Sequence, residues 1–483
     1  MLVPTEFARL ATVHGTVGTV SDPHEIANVL GRAGIEFMLD NASKTPFKIM
    51  FGAPPCVPAT MFETSGAAIT AEDVRVLLAN PRIGYLAEVM NYPGVIAGDA
   101  DLLAKINHAA AAKKPVDGHS PGLRGSGVGA YFGRGITTDH ECFTLEEAEE
   151  KLNCNSNVHI LIREGSAAKN FDALHPLLRS HPSRVMFCSD DKHPNDLEES
   201  HINALVIRAL GLGYDLFDIL HAACINPIRH YNLPIGQLRI NDPADFIEVQ
   251  NLTAFPVLRT FINGILVAEY GKSLLPVIPT TPINNFHATP KSPFNFAHSE
   301  SAPRDPYHFN IIECHDGQLI TTRLVGPLTP DINKMIVLNR YAPHSKPAIA
   351  FIKGFNLKRG AIASSVAHDS HNIVAVGADE SELAKAINLV IAEKGGLAAV
   401  DGEKAEILSL PVAGIMTHQD ANQTANAYRR IDQFARNLAD GNSLSAPFMT
   451  LSFMALLVIP SLKLSDKGLF DVDQFKFIPL AAT

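Results

Sequence analysis

The sequence predicts an α/β protein: a (β/α)8, TIM-like barrel over residues 1–230, a small β-sandwich unit over 231–275, a Pro-rich connector over 276–306, and a C-terminal α+β domain over 307–483. Three observations predict it. Short apolar runs alternate with segments whose apolar residues fall at helical spacing through the first 230 residues, which implies parallel strands joined by crossover helices. The runs are apolar enough to need cover on both faces. Six of the seven runs end in charged or histidine side chains, as a barrel that assembles its site from many strand ends requires, whereas a doubly wound sheet concentrates such groups at one or two switch points.

In chain order, MLVPTEFARLATVHG is a helix, with Pro4 and Thr5 in its first turn and Leu2, Phe7, Leu10 and Val13 on one face. The strands are GTVGTVSD, KIMFGAPP, GYLAEVMN, KKPVDGHS, GITTDHE, VHILIREGS and RVMFCSDD, with helices such as ITAEDVRVLLAN and TLEEAEEKL between them. Seven strands are one short of a closed barrel. The segment after RVMFCSDD is helical, so the eighth strand is expected ahead of residue 1. Asn241-Asp242-Pro243 and Asn263-Gly264 mark turns of the small β unit. The connector reads as extended chain that does not pack as an element. In the last region FNIIECHD, KPAIAFIKGF and HNIVAVGA are strands, and ESELAKAINLVIAEKG is a helix closed by Gly395 and Gly396.

Composition narrows the function classes. A formal charge of −10 argues against a nucleic-acid or anionic-membrane surface. No apolar run reaches the roughly 18 residues of a membrane helix, and the longest, MTLSFMALLVIPSL, is broken by Pro460. The six cysteines have no CxxC or framework spacing, which with no signal segment points to reduced thiols in the cytoplasm. The twenty histidines invite a search for metal ligands.

That search leads to the strand ends. His119 and His140 end neighbouring strands, with Glu88 on the strand before and Asp190 after the last one. Two imidazoles and two carboxylates on one rim suit Mn, Fe or Zn. Of Asp190 and Asp191, one is expected to face the barrel mouth and the other to cap the next helix. Asp22-Pro23 reads as a helix start, with His24 or Glu25 toward the pocket. RGSGVGAYFG sits on the wrong strand for a dinucleotide loop and reads as a mobile loop over the pocket. Pro55-Cys56 lacks the second cysteine of cytidine-type zinc deaminases. HDSHN (His368, Asp369, Ser370 and His371) offers metal-ligating side chains, but Asn and Ser interleaved with His is common in turns and the turn is the favoured reading.

Together, SDPHEIANVLG, LAEVMNYPGVI, DGHSPGL, TDHEC, IREGSAAKN, FCSDDKHP, SSVAHDSHNIVAVG and PFMTLSFMALLVIPSLKLSDKGLFD resemble the adenine deaminase family of the amidohydrolase superfamily. The resemblance implies a binuclear divalent metal centre, manganese first and iron or zinc next, and hydrolysis of adenine to hypoxanthine and ammonia in purine salvage. By motif, His119 and His140 correspond to ligands of one metal, Glu88 to the bridging carboxylate, and Asp190 to the last-strand ligand and proton carrier. His24, Glu25, Arg163, Glu164 and Ser166 would line the purine pocket. The expected partners are adenine and further copies of the chain in a homo-oligomer. Glu88 stands where hydantoinases and dihydroorotases carry lysine, which disfavours them. The superfamily places His-x-His at the end of its first strand, and this sequence has none. The expectation is therefore little or no deaminase activity from the chain as written, and the alternative is a non-catalytic remnant that keeps a purine or partner surface.

Overall fold

The computed structural model describes residues 1–297 and 308–482. Seven short strands form the N-terminal unit: β1 (Gly18–Ser21), β2 (Lys48–Ala53), β3 (Ile83–Val89), β4 (Val116–Gly118), β5 (Thr138–Asp139), β6 (His159–Arg163) and β7 (Val185–Cys188). All their pairings are parallel, in the order β1-β2-β3-β4 and β5-β6-β7. The Thr137 N–H donates to the Val116 carbonyl at 2.9 Å and carries the curl from β4 to β5. Each predicted strand is present, and helices cover the outside, which explains why Phe51, Leu86, Ile160, Ile162 and Val185 are all buried. The helices start where local chemistry favours it: Thr70 and Asp73 make a reciprocal capping box ahead of helix Ala71–Ala79.

Among the described residues β1 pairs only with β2 and β7 only with β6. The buried His201 ring spans the two ends, with Nδ1 2.7 Å from Thr16 Oγ1 and Nε2 3.2 Å from Ser189 Oγ. Helix Pro4–Ala11 forms as predicted. RGSGVGAYFG differs from expectation: Ser126–Phe132 is a helix, because Val128, Tyr131 and Phe132 find a buried apolar face, and it is no loose loop.

The small unit is the antiparallel meander β8 (Phe246–Val249), β9 (Val257–Ile262), β10 (Ile265–Glu269) and β11 (Lys272–Ser273). Asn263 and Gly264 turn β9 into β10 with φ of 51° and 76°, the two left-handed residues that a type I′ hairpin needs. The connector, described up to residue 297, has one 3-10 turn at Pro293–Phe296, yet it packs: Phe286 and Phe296 are buried against the C-terminal sheet. Its apolar rings outweigh its proline content. Residues 298–306 lie outside the described residues.

The C-terminal sheet has eight strands: β12 (Phe309–Cys314), β13 (Thr321–Gly326), β14 (Ile332–Leu338), β15 (Ala348–Lys353), β16 (Ala361–Ser364), β17 (Ile373–Gly377), β18 (Gly396–Asp401) and β19 (Lys404–Ser409). Period-two alternation divides it. Ile336, Ile373 and Ala375 pack under helix Glu380–Ala392, while Val337, Val374 and Val376 face helix Ala421–Asn437 and the chain around Phe448–Leu456. That is why IVAVG is apolar throughout. Beyond it, β20 (Leu462–Ser465), β21 (Gly468–Asp471) and β22 (Lys476–Phe477) make a small antiparallel sheet. No helix of the described residues is long and apolar enough to cross a membrane.

The barrel and the C-terminal domain share a core in which Val3, Ile26 and Val29 meet Val412, Ala413, Ile415 and Met416. Arg9 adds a polar tie, binding Glu6 at 2.7 Å and Asp420 at 2.8 Å. The barrel rim thus faces the C-terminal domain, and the site lies between them.

Candidate metal centre

Parallel strands present their carboxyl ends together, and the side chains there converge. Glu88 lies near the end of β3, His119 follows β4 and His140 follows β5. His119 Nδ1 is 2.9 Å from Glu88 Oε2, His140 Nε2 is 3.3 Å from the same oxygen, and ligand atoms of all three lie within 4.8 Å of one another. Asp190 meets the same spacing with His140 and Glu141, and Asp22 meets it with His24 and Glu88. The four strand-end residues singled out in the sequence therefore share one rim, and a cavity of about 590 Å³ runs from it along the inner face of the strands.

Each ligand candidate is held from behind. Tyr131 Oη accepts a hydrogen bond from the His119 N–H at 3.0 Å and donates one to the Val89 carbonyl at 2.7 Å, so the Ser126–Phe132 helix fixes two strand ends. Lys151, fully buried, donates to Ser120 O at 2.7 Å, Asp139 Oδ2 at 3.2 Å and Glu147 Oε1 at 2.7 Å, tying helix Leu145–Cys154 to the loop after β4 and to the end of β5. Arg163 makes a two-pronged ion pair with Glu141 and a second contact with Asp190. Burial alone would raise the Glu88 carboxyl, but its hydrogen bonds with His119 and His140 outweigh burial and hold it well below the ordinary range. Burial opposes protonation of His140, and its hydrogen bonds with Glu141 and Glu88 more than reverse that.

The donor set fits a divalent cation. It combines imidazole and carboxylate at coordination spacing, and in the same rim His24 Nδ1 lies 3.1 Å from Asp22 Oδ2 and 3.6 Å from Glu88 Oε1. Glu88, His119 and His140 meet that spacing together, and Asp190 meets it with His140 and Glu141.

The remaining expectations meet the geometry as follows. His24 and Glu25 both line the cavity, where one was expected. The Arg163 guanidinium is committed to Glu141 and Asp190. Glu164 pairs with Arg208 and, at 3.5 Å, with Lys169, while Ser166 donates to Asp196 and accepts from the His193 N–H at 2.9 Å; neither joins the clusters above. Asp190 and Asp191 correct the expectation that one of them caps a helix. Helix Pro194–Glu199 has no side-chain cap, and Asp190, at φ 54°, lies beyond the end of β7, so strand alternation no longer separates the two carboxylates.

HDSHN needs the larger correction. His368, Asp369, Ser370 and His371 are buried, and both imidazoles grip the Glu25 carboxylate from the C-terminal domain. The only signal in the sequence was a pair of histidines three residues apart around an aspartate. Glu141 was visible beside His140, but its pairing with Arg163 of the next strand was not.

Comparison with known proteins gives the chain relatives. The amidohydrolase family model matches residues 1–267, and the adenine deaminase C-terminal domain model matches 313–476. An adenine deaminase of Sulfurovum sp. (strain NBC37-1) is 54% identical over 482 residues, covering 99% of this chain and 89% of that protein. One of Salinibacter ruber is 50% identical over 489 residues, covering 99% and 88%. One of Methanosarcina mazei is 46% identical over 502 residues, covering 100% and 90%.

Proposed function

Since the chain belongs to the adenine deaminase family of amidohydrolases, we propose that its barrel rim hydrolyses adenine to hypoxanthine and ammonia, and that it does so as a homo-oligomer in the cytoplasm. The observation that carries the reading is the meeting of Glu88, His119 and His140 at coordination spacing, beside a cavity large enough for a purine. The alternative of a non-catalytic remnant is not favoured, because the similarity to adenine deaminases runs through 99% of the chain.

A binuclear divalent centre, manganese first and iron or zinc next, would supply Lewis acidity that lets water ionise near neutral pH. Glu88, His119, His140 and Asp190 would hold it. The rest is the work of the protein. Water adds through oxygen to the amine-bearing ring carbon. Asp190 relays water's two protons in turn, the first to the ring nitrogen as oxygen adds and the second, from the hydroxyl so formed, to the amine, so the carbon–nitrogen bond breaks, ammonia leaves and the ring carbon becomes a carbonyl. Arg163 keeps Asp190 and Glu141 oriented through its paired N–H groups. His24 and Glu25 line the cavity and contact the purine; Glu164 and Ser166 shape the β6 loop beside it.

The test is adenine turnover by the manganese-loaded protein, together with any upstream segment its gene encodes, following hypoxanthine and ammonia. One-to-one formation of both supports the reading. A metal-replete protein that leaves adenine intact overturns it.

A further inference from the structure

The barrel's Glu25 owes its place in the cavity to the C-terminal domain. It lies in the first turn of helix His24–Leu30 and lines the cavity beside His24, whose Nδ1 is 3.6 Å from Glu88 Oε1. The barrel's own His24 Nε2 stays 3.5 Å from Glu25 Oε1, at the outer limit of a hydrogen bond. Both carboxylate oxygens instead meet imidazoles of the turn after β16: Oε1 meets His368 Nδ1, and Oε2 meets His371 Nε2.

The His371 contact has a fixed polarity. Its Nδ1 accepts the Ala367 N–H at 3.2 Å, so the ring proton sits on Nε2 and is donated to Glu25. Burial keeps that ring neutral, pushing it down to about 4. The turn that carries it is rigid. His371 sits at φ 53°, a left-handed backbone uncommon outside glycine, and its N–H donates to the Ala367 carbonyl at 2.8 Å. On either side, Tyr341 Oη donates to the Ser370 carbonyl at 2.6 Å and Asn372 Nδ2 donates to the Thr64 carbonyl at 2.9 Å. The His368 ring is fixed in turn by stacking on Phe453, with centroids 4.4 Å apart. A glutamate side chain is long and flexible, and two donors on an over-determined turn select one setting of it.

We propose that His371 is a positioning residue for the deamination: from the C-terminal domain it holds the Glu25 carboxylate in the setting that meets the purine. The claim deepens the deaminase reading and rests on it. It gives the C-terminal domain a part in turnover, because a barrel without that turn keeps its rim ligands and loses the setting of Glu25.

The test is adenine turnover by the same manganese-loaded protein, with metal per chain measured alongside. His371→Asn tolerates the left-handed backbone and still accepts the Ala367 N–H, but is too short to reach Glu25, whereas His371→Gln keeps an N–H that reaches it. His371→Asn is expected to lower kcat/KM about 10- to 100-fold with metal content unchanged, and His371→Gln to recover most of that loss. An imidazole that only shapes the turn predicts the opposite order. In a Glu25→Ala background, His371→Asn is expected to cost nothing further. A His371→Asn protein with the parent's kcat/KM overturns the proposal, as does a loss that persists undiminished without Glu25 or that tracks lost metal. A metal-replete parent that leaves adenine intact overturns the deaminase reading and this proposal with it, so the parent's own turnover tells the two failures apart.

Discussion

His201 shows how one side chain can carry a structural duty no motif announces. It bridges Thr16 and Ser189 across the edges of the curled sheet. Burial, then nearby Lys192, pushes its imidazole down to about 3 from 6.5. Between those values the unfolded chain binds a proton that the folded chain refuses, so stability is full above pH 6.5 and falls as pH drops toward 3. Urea unfolding should show a lower midpoint at pH 5 than at pH 7.5, and His201→Gln should flatten that difference; a midpoint that rises on acidification would contradict it. Replacing His201 with Ala should cost about 1–3 kcal/mol, the loss of two buried hydrogen bonds. At the rim, Glu88→Gln should lower metal content and reduce adenine turnover by at least about 100-fold, read by metal analysis and hypoxanthine release.

At the scale of elements, the Ser126–Phe132 helix is a brace for the metal rim. Tyr131→Phe keeps the packed ring and removes the hydroxyl that accepts from His119 and donates to Val89. The expected result is about 1–3 kcal/mol of lost stability and a roughly 10- to 100-fold weaker hold on metal. Normal metal affinity in a destabilised Tyr131→Phe protein would make the helix a packing element only. In the C-terminal domain, Leu383 of helix Glu380–Ala392 is fully buried under the sheet. Leu383→Ala should cost about 2–5 kcal/mol in denaturant unfolding, with the cavity it leaves deciding where in that range it falls.

Over the whole molecule, the barrel and the C-terminal domain are tied by the core around Ile26 and Met416, by the Arg9–Asp420 pair and by the two imidazoles on Glu25. Opening that interface would expose apolar surface and strip Glu25 of both imidazole partners, so the domains should unfold together. Calorimetry is expected to show one transition, and Met416→Ala should lower it without splitting it. Two separated peaks in the parent protein would show that each domain stands alone.

The strands, their parallel order and the strand-end residues Glu88, His119, His140 and Asp190 were legible in the sequence, because alternation and helical spacing are local properties and a parallel sheet sends every strand end to one face. The Asn263-Gly264 hairpin and the Glu380–Ala392 helix were legible for the same local reason. Tertiary structure alone decided that His368 and His371 reach Glu25, more than three hundred residues earlier in the chain, and that Arg163 is spent on Glu141 and Asp190. It also decided that the Ser126–Phe132 segment is a packed helix and that the connector buries Phe286 and Phe296. Those outcomes depend on which surfaces meet when the two domains close on each other, and neither spacing nor composition records a meeting between distant parts of the chain.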